Sequence, residues 1–300
     1  MQHNLAIILV NWNGYALTRD CILSLHNTSY KDYTIIVVDN GSSDGSVTKL
    51  KAAFQDLFFI ELPENLGFTG GNNRALQYAI DAGFKYSLLL NNDTLVDPDF
   101  LEPLLEFMNS HNTTGAVQPL ICFEYDRNII WNGGSYFNEF LGYFYTRGYQ
   151  KKIQSKYLNL KKIDWITGCA FMIRNTALKD TGLLEETFFA YYEDADLSFR
   201  LRNLGFDLQY VPESIVYHIA GMSGKSLTKE KEGFLNANVH YYNIRNRIWF
   251  LKKYIRIWNW PTVLVYHIFY FSGRLAYFLV RGRWEKLRVC IKGIKDGLIM

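Results

Sequence analysis

The chain of 300 residues lacks the features of a small secreted or metal-stapled protein. Its four cysteines, Cys21, Cys122, Cys169 and Cys290, are scattered with no Cys-x-x-Cys pair. That excludes a zinc knuckle and a disulfide framework, and free thiols fit a reducing compartment. No internal repeat or low-complexity tract is present, and no Gly-x-Gly-x-x-Gly run supports a dinucleotide fingerprint. The uncharged start Met1-Gln2-His3-Asn4 has no signal-peptide pattern, and the apolar run Leu5–Val10 behind it has the length of a strand, so a cytoplasmic location is expected.

Acids are nearly missing from one end. Residues Tyr241 to Met300 hold 12 Lys and Arg against two acids, Glu285 and Asp296, a net of +10 in a chain whose total is +3. The remaining residues carry a net of −7. The basic end is also rich in Trp, Tyr and Phe, among them Trp249, Trp258, Trp260, Tyr266, Phe269, Tyr277 and Trp284. Basic residues with interfacial aromatics suit an anionic membrane surface. A nucleic-acid groove also attracts them, but Pro261–Val280 is too apolar for one, so no nucleic-acid partner is expected. That stretch is long enough to span a bilayer, yet His267 and Arg274 interrupt it, which favours insertion in the membrane plane. A helical subdomain packed on the core is the plainer alternative.

What is abundant is hydrophobic and aromatic, 49% and 16% of the residues, which excludes a disordered chain. The length allows one large α/β core or two modest domains. Strand-like and helix-like segments alternate: Leu5–Val10, a helix from Tyr15 to His26, Thr34–Val38, a short helix, Leu57–Leu62, a glycine-rich loop, a helix over Asn73–Ala82, then Tyr86–Leu90. Such alternation predicts a mostly parallel sheet with helices on both faces, and ligands beyond the carboxyl ends of its strands. Val117–Phe123 and Cys169–Ile173 read as further strands, and residues 131–162 as an irregular, acceptor-facing stretch. The expected division is a catalytic domain over 1–227 and a helical extension over 228–300.

Phe188-Phe189-Ala190-Tyr191-Tyr192-Glu193-Asp194-Ala195-Asp196-Leu197 sets aromatics before three carboxylates at a helix start. Such a carboxylate suits a general base, because its neighbours tune its pKa; helix capping is the structural alternative. Asp39, at the end of the second strand, can accept from a ribose or a pyrimidine N–H, or simply form its Asp-Asn-Gly turn. The loop from Glu64 to Asn73, with Asn65, Gly67 and Asn73, offers close backbone approach and amide donors suited to a diphosphate. The strand ending Leu90-Asn91-Asn92-Asp93 delivers Asp93 to the sheet edge, where it can hold Mg²⁺ or Mn²⁺. His218 ends another β-like run and can add a nitrogen ligand, favouring Mn²⁺. Lys225, in Gly221-Met222-Ser223-Gly224-Lys225-Ser226, can close over phosphate.

These pieces occur in the order Val10-Asn11-Trp12-Asn13-Gly14, Val38-Asp39-Asn40-Gly41-Ser42-Ser43-Asp44-Gly45, Asn65-Leu66-Gly67-Phe68-Thr69-Gly70-Gly71-Asn72-Asn73, Asn91-Asn92-Asp93, Thr167-Gly168-Cys169-Ala170 and Glu193-Asp194-Ala195-Asp196-Leu197. The set resembles the inverting family-2 glycosyltransferases of GT-A fold, in their bacterial rhamnosyltransferase-like branch, over roughly residues 5–255. The resemblance implies a Rossmann-like, mixed but mostly parallel α/β sheet. It implies Asp194 as catalytic base, Asn11, Asp39 and Asn92 in the nucleotide-sugar pocket, and Asp93 with His218 at the metal. The first acid of the family's Asp-x-Asp motif is Asn91 here, a departure that weakens a two-carboxylate clamp. Glu193, Trp165 and Arg245 are candidate accessory or acceptor residues. The implied donor is dTDP-rhamnose or a UDP-hexose, and the implied acceptor a polyprenyl-diphosphate-linked glycan at the cytoplasmic face of the inner membrane. A sugar nucleotidyltransferase and a non-catalytic scaffold of the same fold are the other readings.

Overall fold

The computed structural model describes residues 4–219 and 235–300. The described residues fall into two compact units, one of 4–136, 146–189 and 193–219, the other of 137–145, 190–192 and 235–300.

The first unit is built on alternating strands and helices: β1 (Leu5–Asn11), α1 (Tyr15–His26), β2 (Tyr33–Asn40), α2 (Ser46–Ala53), β3 (Phe58–Leu62), α3 (Gly67–Asp81), β4 (Tyr86–Leu90), β5 (Thr94–Val96), α4 (Leu101–Ser110) and β6 (Thr114–Phe123). There follow β7 (Ile130–Asn132), a small hairpin of β8 (Ser135–Asn138) with β9 (Tyr143–Thr146), β10 (Lys161–Lys162), β11 (Ala170–Arg174), α5 (Asn175–Thr181), α6 (Glu193–Asn203) and β12 (Asp207–His218). The main sheet runs β10-β12-β6-β11-β4-β1-β2-β3, with β5 beside β12 and β7 beside β6. Strands β4, β1, β2 and β3 are parallel, β11 is antiparallel to both β4 and β6, and β12 is parallel to β6.

Continuous apolar runs such as Leu-Ala-Ile-Ile-Leu-Val in β1 belong to strands covered on both faces. The period of two sends Leu5, Ile7 and Leu9 to one side, against Cys21, Ile22 and Leu25 of α1 and Leu101, Leu104 and Met108 of α4. It sends Ala6 and Ile8 to the other, against Ala75, Leu76 and Ala79 of α3 and Leu197 and Leu201 of α6. The sheet is thus a doubly covered, mixed, mostly parallel one, as the sequence predicts.

One expected element is displaced. The glycine-rich stretch is not a loop up to Asn73, because α3 begins at Gly67 and takes Gly70 and Gly71 into its first turns. A side chain on Gly71 would sit 3.0 Å from Val10 and 3.3 Å from Asn40, so the glycine lets α3 lie close on the sheet. Tight packing outweighs the poor helix propensity of glycine here.

The second unit contains three helices, α7 (Ala237–Tyr254), α8 (Trp260–Val280) and α9 (Trp284–Ile299). They pack around Ile244, Ile248, Phe278 and Cys290. Gly293 and Gly297 let α9 close on α7: a Cβ at these positions would fall 2.9 Å from Tyr241 O and 2.7 Å from Arg245 O. The Asn246 amide, fully buried, donates to the carbonyls of Ala190 and Tyr191 at 2.8 Å each.

Candidate active site

Strand direction gathers the polar residues. Asn11 and Asp39 are register partners at the carboxyl ends of β1 and β2, and Asp93 follows the end of β4, parallel to them. Because β11 runs antiparallel to β4, its leading residues Gly168 and Cys169 lie at that same edge, where Asn91 N–H donates to Cys169 O at 2.8 Å. His218 ends β12, which shares the direction of β6 and therefore of β4.

Asp39 and Asn11 form a preassembled polar pocket. The Asn11 amide donates to Asp39 Oδ1 at 2.9 Å and to Ser46 Oγ at 2.9 Å, and Ser42 N–H donates to Asp39 Oδ2 at 3.1 Å. Thr18, which sequence reasoning missed, links the pocket to the metal motif: its hydroxyl donates to Asn11 Oδ1 at 2.8 Å and accepts from the Asn92 amide at 2.8 Å. The carboxylate oxygens of Asp39 still have lone pairs for a nucleoside donor.

Two residues expected at the nucleotide sugar also bond to the protein itself. Asn65 Oδ1 accepts from Gly67 N–H at 2.8 Å and from the Asn40 amide at 3.0 Å. Asn73 exchanges hydrogen bonds with both backbone groups of Leu184, at 2.8 and 3.0 Å, and reaches Glu186. Gly67 has φ +74°, and a Cβ there would stand 2.4 Å from Phe189 O, so glycine is needed at this approach. Lys225 lies outside the described residues.

Asp93 and His218 face each other at 3.3 Å, both buried. Apart from that contact between Asp93 Oδ1 and His218 Nε2, this oxygen and both ring nitrogens of His218 are buried without a hydrogen-bond partner. Trp131 packs edge-on against the imidazole at 4.6 Å. Burial opposes a proton on His218, but the Cys169 sulfur and the Asp93 carboxylate outweigh it and push its pKa up to about 10. Orphaned polar atoms this deep are rare unless a ligand completes them. Once the imidazole gives up its proton, one carboxylate oxygen and one imidazole nitrogen suit Mn²⁺ or Mg²⁺. Among the described residues no group of three or more His, Cys, Asp or Glu forms a closed cage, so such an ion would take its other ligands from phosphate oxygens and water.

The three acids of α6 have three different environments. Asp196 is fully buried and paired with Arg200 at 2.8 Å, and that arginine also binds the carbonyls of Thr181, Gly182 and Leu183. Glu193 is buried with Oε2 unpaired, and desolvation together with the neighbouring Asp194 charge raises its pKa well above the usual range. Asp194 is partly exposed, accepts from Gly168 N–H at 2.7 Å and from Ala195 N–H at 2.7 Å, and desolvation pushes it up to about 6 against those donors. Glu193 is therefore pushed toward its neutral form, and Asp194 is a carboxylate that ionises close to neutral pH, the condition for a general base.

Two further supports are Gly168, which the sequence showed in a motif without its role, and Ser198, which sequence reasoning missed. Ser198 Oγ donates to Asp194 O at 2.6 Å and accepts from Ile166 N–H at 3.0 Å. A Cβ on Gly168 would lie 3.2 Å from the Phe68 ring and 3.5 Å from Asp194 Oδ2, so the start of α3 meets Asp194 there. Trp165, in the same segment, donates its indole N–H to Tyr136 O at 3.2 Å. Phe189, Tyr191 and Tyr192, just before the acids, all have positive φ (63°, 69° and 76°), a run of strained residues of the kind found at functional sites. Arg245 belongs to the helical unit, where its Nε donates to Asn246 Oδ1 at 2.8 Å and its guanidinium covers the Tyr241 and Tyr242 rings.

Residues 6–182 match the model of Glycosyl transferase family 2. Two curated proteins are similar. The low-salt glycan biosynthesis hexosyltransferase Agl10 of Haloferax volcanii is 29% identical over 67% of this chain, which spans 62% of that protein. The N-acetylglucosaminyl-diphospho-decaprenol L-rhamnosyltransferase of Mycobacterium tuberculosis is 24% identical over 75% of this chain and 79% of its own. Among solved structures, the mannosyltransferase PcManGT of Pyrobaculum calidifontis, in complex with GDP-Man and Mn²⁺, aligns with a TM-score of 0.59 at 13% identity, over 99% of this chain and 88% of its own. That likeness shows the GT-A fold. With the family model covering more than half of the chain, this protein belongs to glycosyltransferase family 2.

Proposed function

We propose that this glycosyltransferase is an inverting enzyme that moves a deoxyhexose or hexose from a dTDP- or UDP-sugar onto a polyprenyl-diphosphate-linked glycan at the cytoplasmic face of the cell membrane. The observation that carries the mechanism is Asp194: ionised, partly exposed, and fixed by Gly168 N–H at the sheet edge that also holds Asp39 and Asp93. The rhamnosyltransferase relative, which by its name acts on a decaprenyl-diphospho sugar, supports the acceptor class.

Asp194 takes the proton of an acceptor hydroxyl, whose oxygen forms the new bond to the anomeric carbon as the bond to the nucleoside diphosphate breaks. Glu193 is buried and pushed toward its neutral form, so one carboxylate works, and a single displacement inverts the anomeric configuration. The diphosphate is already a good leaving group, so no general acid is needed, unlike in glycoside hydrolysis. Asp39 and Asn11 hold the nucleoside. Asp93 and His218 would hold a divalent cation, which when bound neutralises charge on the diphosphate. Amides at the sheet edge orient the sugar.

The test is a thermal-shift panel of dTDP- and UDP-sugars with Mn²⁺, followed by transfer assays with the stabilising donor. A specific donor raises the melting temperature by mass action. Undiminished transfer by the Asp194→Asn variant would overturn the assignment of the base.

A further inference from the structure

Helix α8 has one face turned inward and one face bare. Val263, His267 and Phe278 are buried, and Phe271 and Leu275 pack beside Ile244, Ile248 and Cys290. The opposite face carries Leu264, Val265, Ile268, Phe269, Leu279 and Val280, with Phe269 75% and Val280 85% exposed. The apolar stretch Ile257–Val280 has a mean hydropathy of 1.4 in its best window, of which only 17% is buried.

The two polar side chains that interrupt the stretch in sequence are absent from that bare face. His267 is buried, accepting from Arg247 Nε at 2.9 Å, with its Nδ1 2.8 Å from Val263 O. Arg274 donates to the Tyr270 hydroxyl at 2.8 Å and meets His240 Nδ1 at 2.6 Å, next to Phe278. The cations gather at the two ends of the helix instead, each over an exposed ring. Arg256 lies 5.7 Å from Trp258 at the start, and Arg281 and Arg283 lie 5.9 and 5.6 Å from Tyr277 at the end.

We propose that α8 docks this protein on an anionic lipid bilayer, lying in the membrane plane with Leu264, Val265, Ile268 and Phe269 among the acyl chains. The arginines at its two ends then meet lipid phosphates, and Trp258 and Tyr277 sit at the headgroup boundary. A bilayer-crossing α8 is disfavoured by its neighbours. Helix α9, packed on it, exposes Arg288, Lys292 and Lys295, and α7 exposes Lys252 and Lys253. A crossing would carry those charges into hydrocarbon, whereas an in-plane helix leaves them in the headgroup layer. A second copy of the chain is a poor occupant, since face-to-face stripes would set the arginine-bearing ends against one another in either orientation.

The inference goes beyond sugar transfer and does not depend on donor or acceptor. It is tested by flotation of the full chain with vesicles of phosphatidylcholine alone or with roughly a third phosphatidylglycerol. The chain is expected to float with the anionic vesicles and to be released by an alkaline carbonate wash. The I268E/F269E variant should lose about tenfold or more of that binding, while F269W, which keeps the stripe apolar, retains it. Unchanged melting temperature and circular dichroism in I268E/F269E show that the fold survives. Full binding by I268E/F269E overturns the proposal, as does resistance to carbonate, the mark of a crossing helix. So does a dimer that I268E/F269E dissolves without any vesicle binding. No sugar nucleotide enters this assay, so its failure leaves the transferase reading intact.

Discussion

The sheet unit buries acids along one edge, whereas the helical unit buries bases. Asp39, Asp93, Glu193 and Asp196 are each 4% exposed or less, and in the helical unit Arg247 and Lys286 are 8% and 2% exposed. Burying charge is costly unless partners replace water. Arg247 is solved by uncharged groups, the His267 ring, Gly142 O and the Tyr270 face at 4.4 Å, so its positive charge is kept. His267 is correspondingly held neutral, its pKa lowered to about 4 by burial and then by Arg247. At the sheet edge the acids divide. Asp196 and Asp39 have their donors, and Asp93 and Glu193 each leave an oxygen bare. Asp196 holds the scaffold, whereas Asp39 keeps lone pairs for a ligand donor and Asp93 and the half-exposed Asp194 mark where the remaining ligand chemistry enters.

The sharpest way to break this division is Asp194→Asn. Turnover should fall by about 10²-fold or more, with donor affinity within a few-fold of wild type, measured by steady-state kinetics and calorimetry. The pH profile gives a second reading. Asp194 is inactive as a base while protonated, so kcat/KM should rise with pH through an apparent pKa near 6. The same raised pKa makes the folded chain bind more protons than the unfolded one between the ordinary carboxylate range and 6, so stability falls as pH rises there. Asp194→Asn should therefore melt higher than wild type at neutral pH, and that gain should vanish in acid.

Next comes Asp93→Ala, for which donor binding in calorimetry should lose its dependence on Mn²⁺ and weaken by about 10- to 100-fold. Equal affinity with and without metal in the wild type would remove Asp93 and His218 from a cation site. Gly67→Ala tests the scaffold side. Its positive φ and its 2.4 Å approach to Phe189 O should cost about 2 kcal/mol or more of stability in denaturant titrations. Glu193→Gln should matter least, changing turnover only a few-fold, because that carboxyl is buried and pushed toward its neutral form. A loss as large as that of Asp194→Asn would exchange the roles of the two.

Much of the sheet was legible beforehand. Helix α1 falls at Tyr15–His26 as read, and Tyr86–Leu90 is a strand as read, since buried strands and amphipathic helices leave their period in the chain. The start of α3 was not legible, because glycine at Gly70 and Gly71 signals a loop by propensity and is used here for close packing. Asn65 and Asn73 had the residue type of ligand donors, and part of their capacity is used within the fold: Asn65 Oδ1 accepts from Gly67 N–H, and the Asn73 amide bonds both backbone groups of Leu184. Thr18 and Ser198 carried no signal at all, and Gly168 stood in a family-like motif with no role attached, since a hydroxyl or an amide N–H gains its role only from what the fold sets beside it.

By itself the sequence determined the alternating α/β order, the polar strand ends and the segregation of charge, because these follow from local periodicity and composition. Its family resemblance also pointed to Asp194 as the base, with Glu193 as the neighbour to be confused with it. Only the tertiary structure shows how their surroundings differ: Glu193 is sealed with Oε2 unpartnered, whereas Asp194 has two backbone N–H groups and partial access to solvent. Likewise only the sheet order brought Asp93 within 3.3 Å of His218, 125 positions later in the chain. Ionisation and ligation depend on what surrounds a group in space, and a linear order of residues does not contain that.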